Sequence, residues 1–101
     1  MKHAMSLMLL ISAQALAAPP ISTGERLAAT CTGCHGTRGH TAGTALPPLA
    51  GQSQEALLAS LRAFRDGSRP ATIMTQLAKG YTDEQLEQIA AWFAAQKREA
   101  R

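Results

Sequence analysis

CTGCH, residues 31–35, decides how this chain is read. Two cysteines three positions apart lie about one turn apart on the same face of a helix. The spacing C-x-x-C-H is the attachment signature of a c-type haem. A haem carries its two vinyl groups close together on one edge, so Cys31 and Cys34 can each close a thioether to one of them. His35 follows directly and can turn a ring nitrogen onto the iron. Gly33 leaves room for the haem edge to approach the backbone. Three other readings compete: a redox dithiol, half of a zinc site and a plain disulfide. Zinc asks for four ligands, and the only other histidines are His3 and His40. A thioredoxin-like dithiol belongs in a βαβ context, and no strand pattern is visible. One covalent haem c is the cofactor the motif calls for.

Outward from the motif, the N-terminus reads as a secretory signal. Met1-Lys2-His3 is a basic start, Ala4 to Leu16 is an apolar run, and Ala15-Leu16-Ala17 is a small-x-small cleavage site. The run is short of the ~20 apolar residues that span a bilayer. The expected organisation is a signal peptide at 1–17 and one domain at 18–101, with no membrane span after cleavage. Export to the periplasm suits the motif, because thioether attachment occurs outside the cytoplasm, where free thiols would otherwise oxidise. Such a domain buries only a modest core. Its aromatics are Phe64, Tyr81, Trp92 and Phe93, so a covalent haem would act as its staple. The formal charge is +3 for the whole chain. That mild excess, with no basic run, gives no support to a nucleic-acid partner.

The rest of the chain reads as helices. Ser22 and Thr23 are good N-caps, and Leu27, Ala28 and Cys31 fall at helical spacing. A first helix is expected over 23–34, with Gly24 available for close contact with another helix. Residues 36–52 carry Gly36, Gly39, Gly43, Pro47, Pro48 and Gly51 without periodicity and read as a long loop. A loop of that length needs a function, and wrapping a haem face with Leu46, Leu49 and Ala50 would be one. Ser53 can cap a second helix over 54–66, with Leu57, Leu58, Leu61 and Phe64 at helical spacing and Gly67 as its stop. A short helix is expected over 71–79. Thr82 and Gln85 form a capping box for a final helix running to about Lys97. Leu86, Ile89, Ala90 and Phe93 form the apolar stripe of that helix, bordered by Trp92. Asp83 and Glu84 at its start and Lys97 and Arg98 at its end would complement the helix dipole.

The face of the iron opposite His35 needs a ligand. Met1, Met5 and Met8 lie in the signal region, which leaves Met74. His40 competes, but it is five residues from His35 and the short segment between them would have to wrap half the ring. Met74 could instead be a gap-filling core residue. The second ring nitrogen of His35 also needs a partner. A backbone carbonyl in the Pro47-Pro48-Leu49 segment is the best candidate, because a kinked proline segment can present its carbonyl inward.

These features together resemble class I c-type cytochromes over nearly the whole of residues 18–101. The match is closest to the haem domains of dihaem periplasmic cytochromes and to the monohaem cytochrome subunit of flavocytochrome c sulfide dehydrogenase. CTGCHG at 31–36, LPPLAGQ at 46–52, LRAFRDGSRPATIM at 61–74 and LAKGYTDEQLEQIAAWFAAQ at 77–96 carry it. The resemblance implies an all-α small cytochrome c fold, with crossing N- and C-terminal helices, two shorter middle helices and a long haem-wrapping loop. It implies His35 and Met74 as axial ligands, Cys31 and Cys34 as thioether sites and the Pro47 carbonyl as the partner of His35. It places the helix crossing near Gly24 and Trp92 or Phe93. The dihaem proteins need a second C-x-x-C-H, which this chain lacks.

A His/Met pair closes both axial positions and raises the potential relative to nitrogen-only ligation, which suits one-electron transfer between redox proteins. No catalytic acid, base or nucleophile stands out in 18–101, so no independent enzyme is expected. The donor could be a FAD-containing flavoprotein that oxidises sulfide. The alternatives are a free carrier between respiratory complexes and a haem sensor or peroxidase-like protein with an open iron site. Arg62, Arg65, Arg69 and Lys79 form a loose basic group that is either a rim steering an acidic partner or a solvated helix face.

Overall fold

Ser22 opens the first helix as its sequence promises. Its Oγ accepts from the Glu25 amide at 3.1 Å, satisfying one of the donors that a helix start leaves unpaired. A computed structural model describes residues 15–98. Most of the signal-peptide reading, residues 1–14, lies outside the described residues. Helix α1 (Thr23–Ala28) passes through a 3-10 turn (Ala29–Cys31) into α2 (Thr32–His35). The expected helix over 23–34 is therefore present, tightened where the first cysteine sits.

The segment 36–52 is a loop with one ordered fold-back. A 3-10 turn at Thr37–Gly39 includes Arg38 at φ 53°, a left-handed conformation unusual outside glycine. The Gly39 carbonyl then accepts from the Leu49 and Ala50 amides at 2.9 and 3.2 Å. Gly39 itself has φ +82°, and a Cβ there would lie 2.8 Å from the Ala50 nitrogen and 2.9 Å from the Phe93 ring. Only glycine fits both the backbone angle and the space.

Ser53 caps α3 (Gln54–Asp66) through the Ala56 amide at 3.1 Å. Gly67 ends it in the left-handed C′ conformation. Helix α4 spans Met74–Ala78 only, shorter than the expected 71–79. Its preceding residue, Ile73, has φ −123° and ψ −28° and offers no side-chain cap, and Thr72 and Ile73 form a bend rather than a helical turn. Thr82 and Gln85 form the expected capping box at the start of α5 (Asp83–Ala94).

Helix α5 stops at Ala94 rather than near Lys97. The carbonyls of its last turn are taken by other partners. Phe93 O accepts from the Gly51 amide of the loop at 3.0 Å and from the Gln96 amide at 3.1 Å, while Gln96 Nε2 donates to Trp92 O at 2.8 Å. No basic residue remains in the last turn, so the expected dipole pairing with Lys97 and Arg98 is absent. Arg98 instead donates to the Gly51 carbonyl at 3.4 Å.

The described residues are all helix and loop; α1 and α3 pack on α5, and α4 packs on α3. Ala28, Leu57, Ile89, Ala90 and Phe93 form one buried cluster, with Leu27, Cys31, Leu49, Leu58, Leu61, Tyr81 and Trp92 packed around it. Leu86 is fully buried as well. The stripe read from the sequence is thus the core face of α5. α1 and α5 meet at Gly24, where a Cβ would lie 2.8 Å from Gln88 O and 3.2 Å from Trp92 Cβ. Trp92 and Phe93 pack edge to face at 5.0 Å.

Candidate haem site

Cys31 closes the 3-10 turn and Cys34 lies in α2, so one continuous helical stretch presents both thiols and His35. Cys31 is half-buried and Cys34 is exposed, and neither is in a disulfide. Burial is the main cause that pushes the Cys31 thiol up; its long contact with the Thr30 hydroxyl opposes the rise and the Cys34 charge adds to it. A Cβ at Gly33 would meet nothing within 4 Å, so the turn that carries the two thiols is open to solvent on the Gly33 side.

His35 is the one buried polar residue of the described core, 8% exposed. Its Nδ1 lies 2.9 Å from the Pro47 carbonyl oxygen. A carbonyl can only accept, so Nδ1 carries the proton and Nε2 keeps a lone pair. That is the tautomer needed for metal ligation, fixed by a backbone partner. Of the three carbonyls in the proline segment, Pro48 O accepts from Gln52 Nε2 at 2.6 Å and Leu49 O from the Gln52 amide at 3.4 Å. Only Pro47 O faces His35.

Two thiols one turn apart and an imidazole with a prepared Nε2 match the donor set of a covalent haem. Leu46, just before the Pro47 that meets His35, and Ile73 and Leu77, flanking and within α4, are apolar and exposed. Leu49 packs against the core cluster beside the Pro47–His35 contact in sequence. Met74 is the first residue of α4 and is half-buried. His40 is half-buried, and its amide donates to Thr37 O at 3.0 Å within the tight turn.

Two members of the basic group face inward along the surface. Arg62 pairs with Asp83 and Glu87, each at 3.3 Å, and Arg65 pairs with Asp83 at 2.5 Å. Arg69 donates to Ser60 Oγ and lies 4.6 Å over the Phe64 ring. Arg62 and Arg65 tie α3 to the start of α5 through carboxylates, whereas Arg69 meets only a hydroxyl and a ring, so of the two readings of the basic group a steering rim would rest on Arg69 and Lys79 alone. One contact had no counterpart in the sequence reading. Thr30 Oγ1 and Tyr81 Oη are 2.6 Å apart across 51 positions, and no local pattern announces such a pair.

A helical domain whose first helical stretch ends in C-x-x-C-H, with the histidine oriented by a proline carbonyl, is a c-type cytochrome. The cytochrome c family model matches residues 21–97, and the chain belongs to that family. Its Cys31, Cys34 and His35 are the residues by which the family holds one covalent haem c, and the relatives it matches are electron-transfer cytochromes. The cytochrome subunit of sulfide dehydrogenase from Chlorobaculum tepidum is 43% identical over 72 residues, covering 71% of this chain and 64% of that subunit. Cytochrome c-554(548) of Halomonas halodenitrificans is 40% identical over 75% of this chain and 95% of its own length. The solved cytochrome c4 of Acidithiobacillus ferrooxidans is 38% identical with a TM-score of 0.61, covering 64% of this chain and 37% of that one. The chain thus spans just under two thirds of the sulfide dehydrogenase subunit and about two fifths of cytochrome c4. Among the described residues, no helix is long and apolar enough to cross a membrane.

Proposed function

We propose that this cytochrome is a periplasmic one-electron carrier that accepts electrons from a sulfur-oxidising dehydrogenase. Residues 1–17 are its export signal and 18–101 its working domain. Cys31 and Cys34 carry the thioethers, His35 and Met74 ligate the iron, and Pro47 and Leu49 form part of the pocket. The haem supplies a reversible ferric–ferrous couple when bound. The chain supplies the rest. Pro47 O fixes the His35 tautomer and ring plane, and Leu46, Leu49, Ile73 and Leu77 offer apolar surface that lowers the local dielectric. Met74 is the sole methionine among the described residues, and a thioether opposite an imidazole closes the iron to oxygen and substrate.

The observation that carries the donor class is the pair of independent relatives. One is the sulfide dehydrogenase subunit; the other is a thiosulfate dehydrogenase electron acceptor of Stutzerimonas stutzeri, 40% identical over 69% of this chain. Asp83 and Glu87 offset the charges of Arg62 and Arg65, which weakens electrostatic steering of an acidic partner, and the exposed Ile73 and Leu77 offer apolar contact for docking. A second reading, a free carrier between respiratory complexes, draws on the 95% coverage of cytochrome c-554(548).

The test is native purification followed by rapid mixing. Co-elution with a FAD-containing flavoprotein, and reduction of the ferric haem by sulfide only when that flavoprotein is present, is the expected result. A lone monomer reduced equally well by unrelated respiratory donors would overturn the dehydrogenase reading and favour the free carrier.

A further inference from the structure

The Thr30–Tyr81 contact joins the attachment turn to the segment after α4, the two parts a haem held by His35 and Met74 would also join. Thr30 precedes the first thioether cysteine, and its Oγ1 lies 4.0 Å from Cys31 Sγ. That hydroxyl donates to the Leu27 carbonyl at 3.3 Å, so its lone pairs accept from Tyr81 Oη at 2.6 Å. On the other side, Tyr81 is braced to α4 without a break. Lys79 donates to Thr75 O, Gly80 to Leu77 O and Tyr81 to Ala78 O, at 3.3, 3.2 and 3.3 Å. Ala78 is buried, and Tyr81 packs against the core cluster. α4 itself packs on α3, and its first residue is Met74. Moving α4 away from the attachment turn therefore requires breaking the Tyr81–Thr30 bond.

We propose that Tyr81 is a positioning residue whose hydroxyl, held on Thr30, latches α4 to the haem-attachment turn and so keeps Met74 on the iron. This rests on the assignment of Met74 as the axial ligand. The latch acts on an equilibrium between Met74-bound and Met74-released iron. An incoming ligand binds only the released form, so its apparent affinity rises with the released fraction. Losing one hydrogen bond between neutral groups shifts such an equilibrium by roughly 2- to 10-fold.

The experiment is a titration of the ferric holoprotein with imidazole, with the thioether–iron band at the red end of the spectrum followed in parallel. Tyr81→Phe and Thr30→Val should each tighten imidazole binding by roughly 2- to 10-fold. The double variant should do no more than either single change, because both remove the same bond. Thr30→Ser, which keeps the hydroxyl, should bind as the unsubstituted protein does. A purely structural role would lower the unfolding midpoint and leave imidazole affinity in native buffer unchanged. Met74→Ala separates the two assignments. If it loses the thioether band while Tyr81→Phe binds imidazole like the unsubstituted protein, or while the two single effects add, the latch is wrong and Met74 stands. If Met74→Ala keeps the unaltered spectrum, the ligand assignment fails and the latch fails with it.

Discussion

Replacing Gly24 by alanine places one methyl group where α1 crosses α5. The new Cβ would sit 2.8 Å from the Gln88 carbonyl oxygen and 3.2 Å from Trp92 Cβ. An unstrained carbon–oxygen contact is about 3.3 Å, so the helices must part by roughly 0.5 Å. Neither neighbour is a flexible tip. Gln88 O belongs to the backbone of α5, and Trp92 Cβ is anchored to the same helix, whose next residue Phe93 is 1% exposed. Overpacking of this kind costs about 1–3 kcal/mol. Alanine returns at most about 1 kcal/mol of helix propensity, and less in a first turn. The net loss is about 1–2 kcal/mol. For a domain of this size, each kcal/mol lowers Tm by roughly 4–8 °C, so a fall of roughly 5–15 °C is expected. Gly24→Val, which adds two further methyl groups at the same contact, should lose more than alanine. The assay is thermal and denaturant unfolding of the ferric holoprotein followed by far-ultraviolet circular dichroism, with the slope m checked for constancy. A Gly24→Ala protein as stable as the parent, or more stable, would refute the argument that the crossing is tight at this residue.

Gly39→Ala should be damaging although the residue lies in a loop, because Gly39 is buried. It combines a left-handed backbone with contacts of 2.8 Å to the Ala50 nitrogen and 2.9 Å to Phe93. The expected loss is about 2–3 kcal/mol, read from the same unfolding curves. The hydrogen bonds from Arg65 and Arg62 hold the Asp83 carboxyl below the usual carboxylate range. A depressed folded-state value stabilises the fold above the ordinary carboxylate pKa, and that contribution fades as the pH falls through the folded value. Asp83→Asn should therefore lower stability at neutral pH, and its difference from the parent should shrink in acid, as acid unfolding curves would show. A Cys31→Ala/Cys34→Ala chain expressed with haem-maturation machinery should lack covalent haem. Phe93, Leu86 and Ile89 are its largest fully buried side chains, so it should melt broadly; a sharp, cooperative transition would contradict the staple role.

What the sequence determined by itself was whatever a few neighbouring residues control. The C-x-x-C-H spacing named the cofactor because both thiols and the imidazole fall within five positions. Ser22, Ser53 and the Thr82–Gln85 box placed three helix starts, since each cap bonds an amide three residues on. The stripe of Leu86, Ile89, Ala90 and Phe93 named the buried face of α5 for the same reason. The tertiary structure decided what depends on distant partners. The end of α5 at Ala94 was invisible locally, because the loop amide of Gly51 takes the Phe93 carbonyl. Charge counting could not see that Arg62 and Arg65 spend their charge on Asp83 and Glu87, 18 to 25 positions away. The residues alone left three carbonyls of the proline segment open and the family resemblance implied Pro47, while the fold-back through Gly39 is what brings Pro47 O to 2.9 Å from His35 Nδ1. The Thr30–Tyr81 bond, between residues 51 apart, exists only because the turn after α4 folds back against the attachment turn. Caps and periodicities are written in short windows; a hydrogen bond between two side chains on different helices is written in the packing that brings them together.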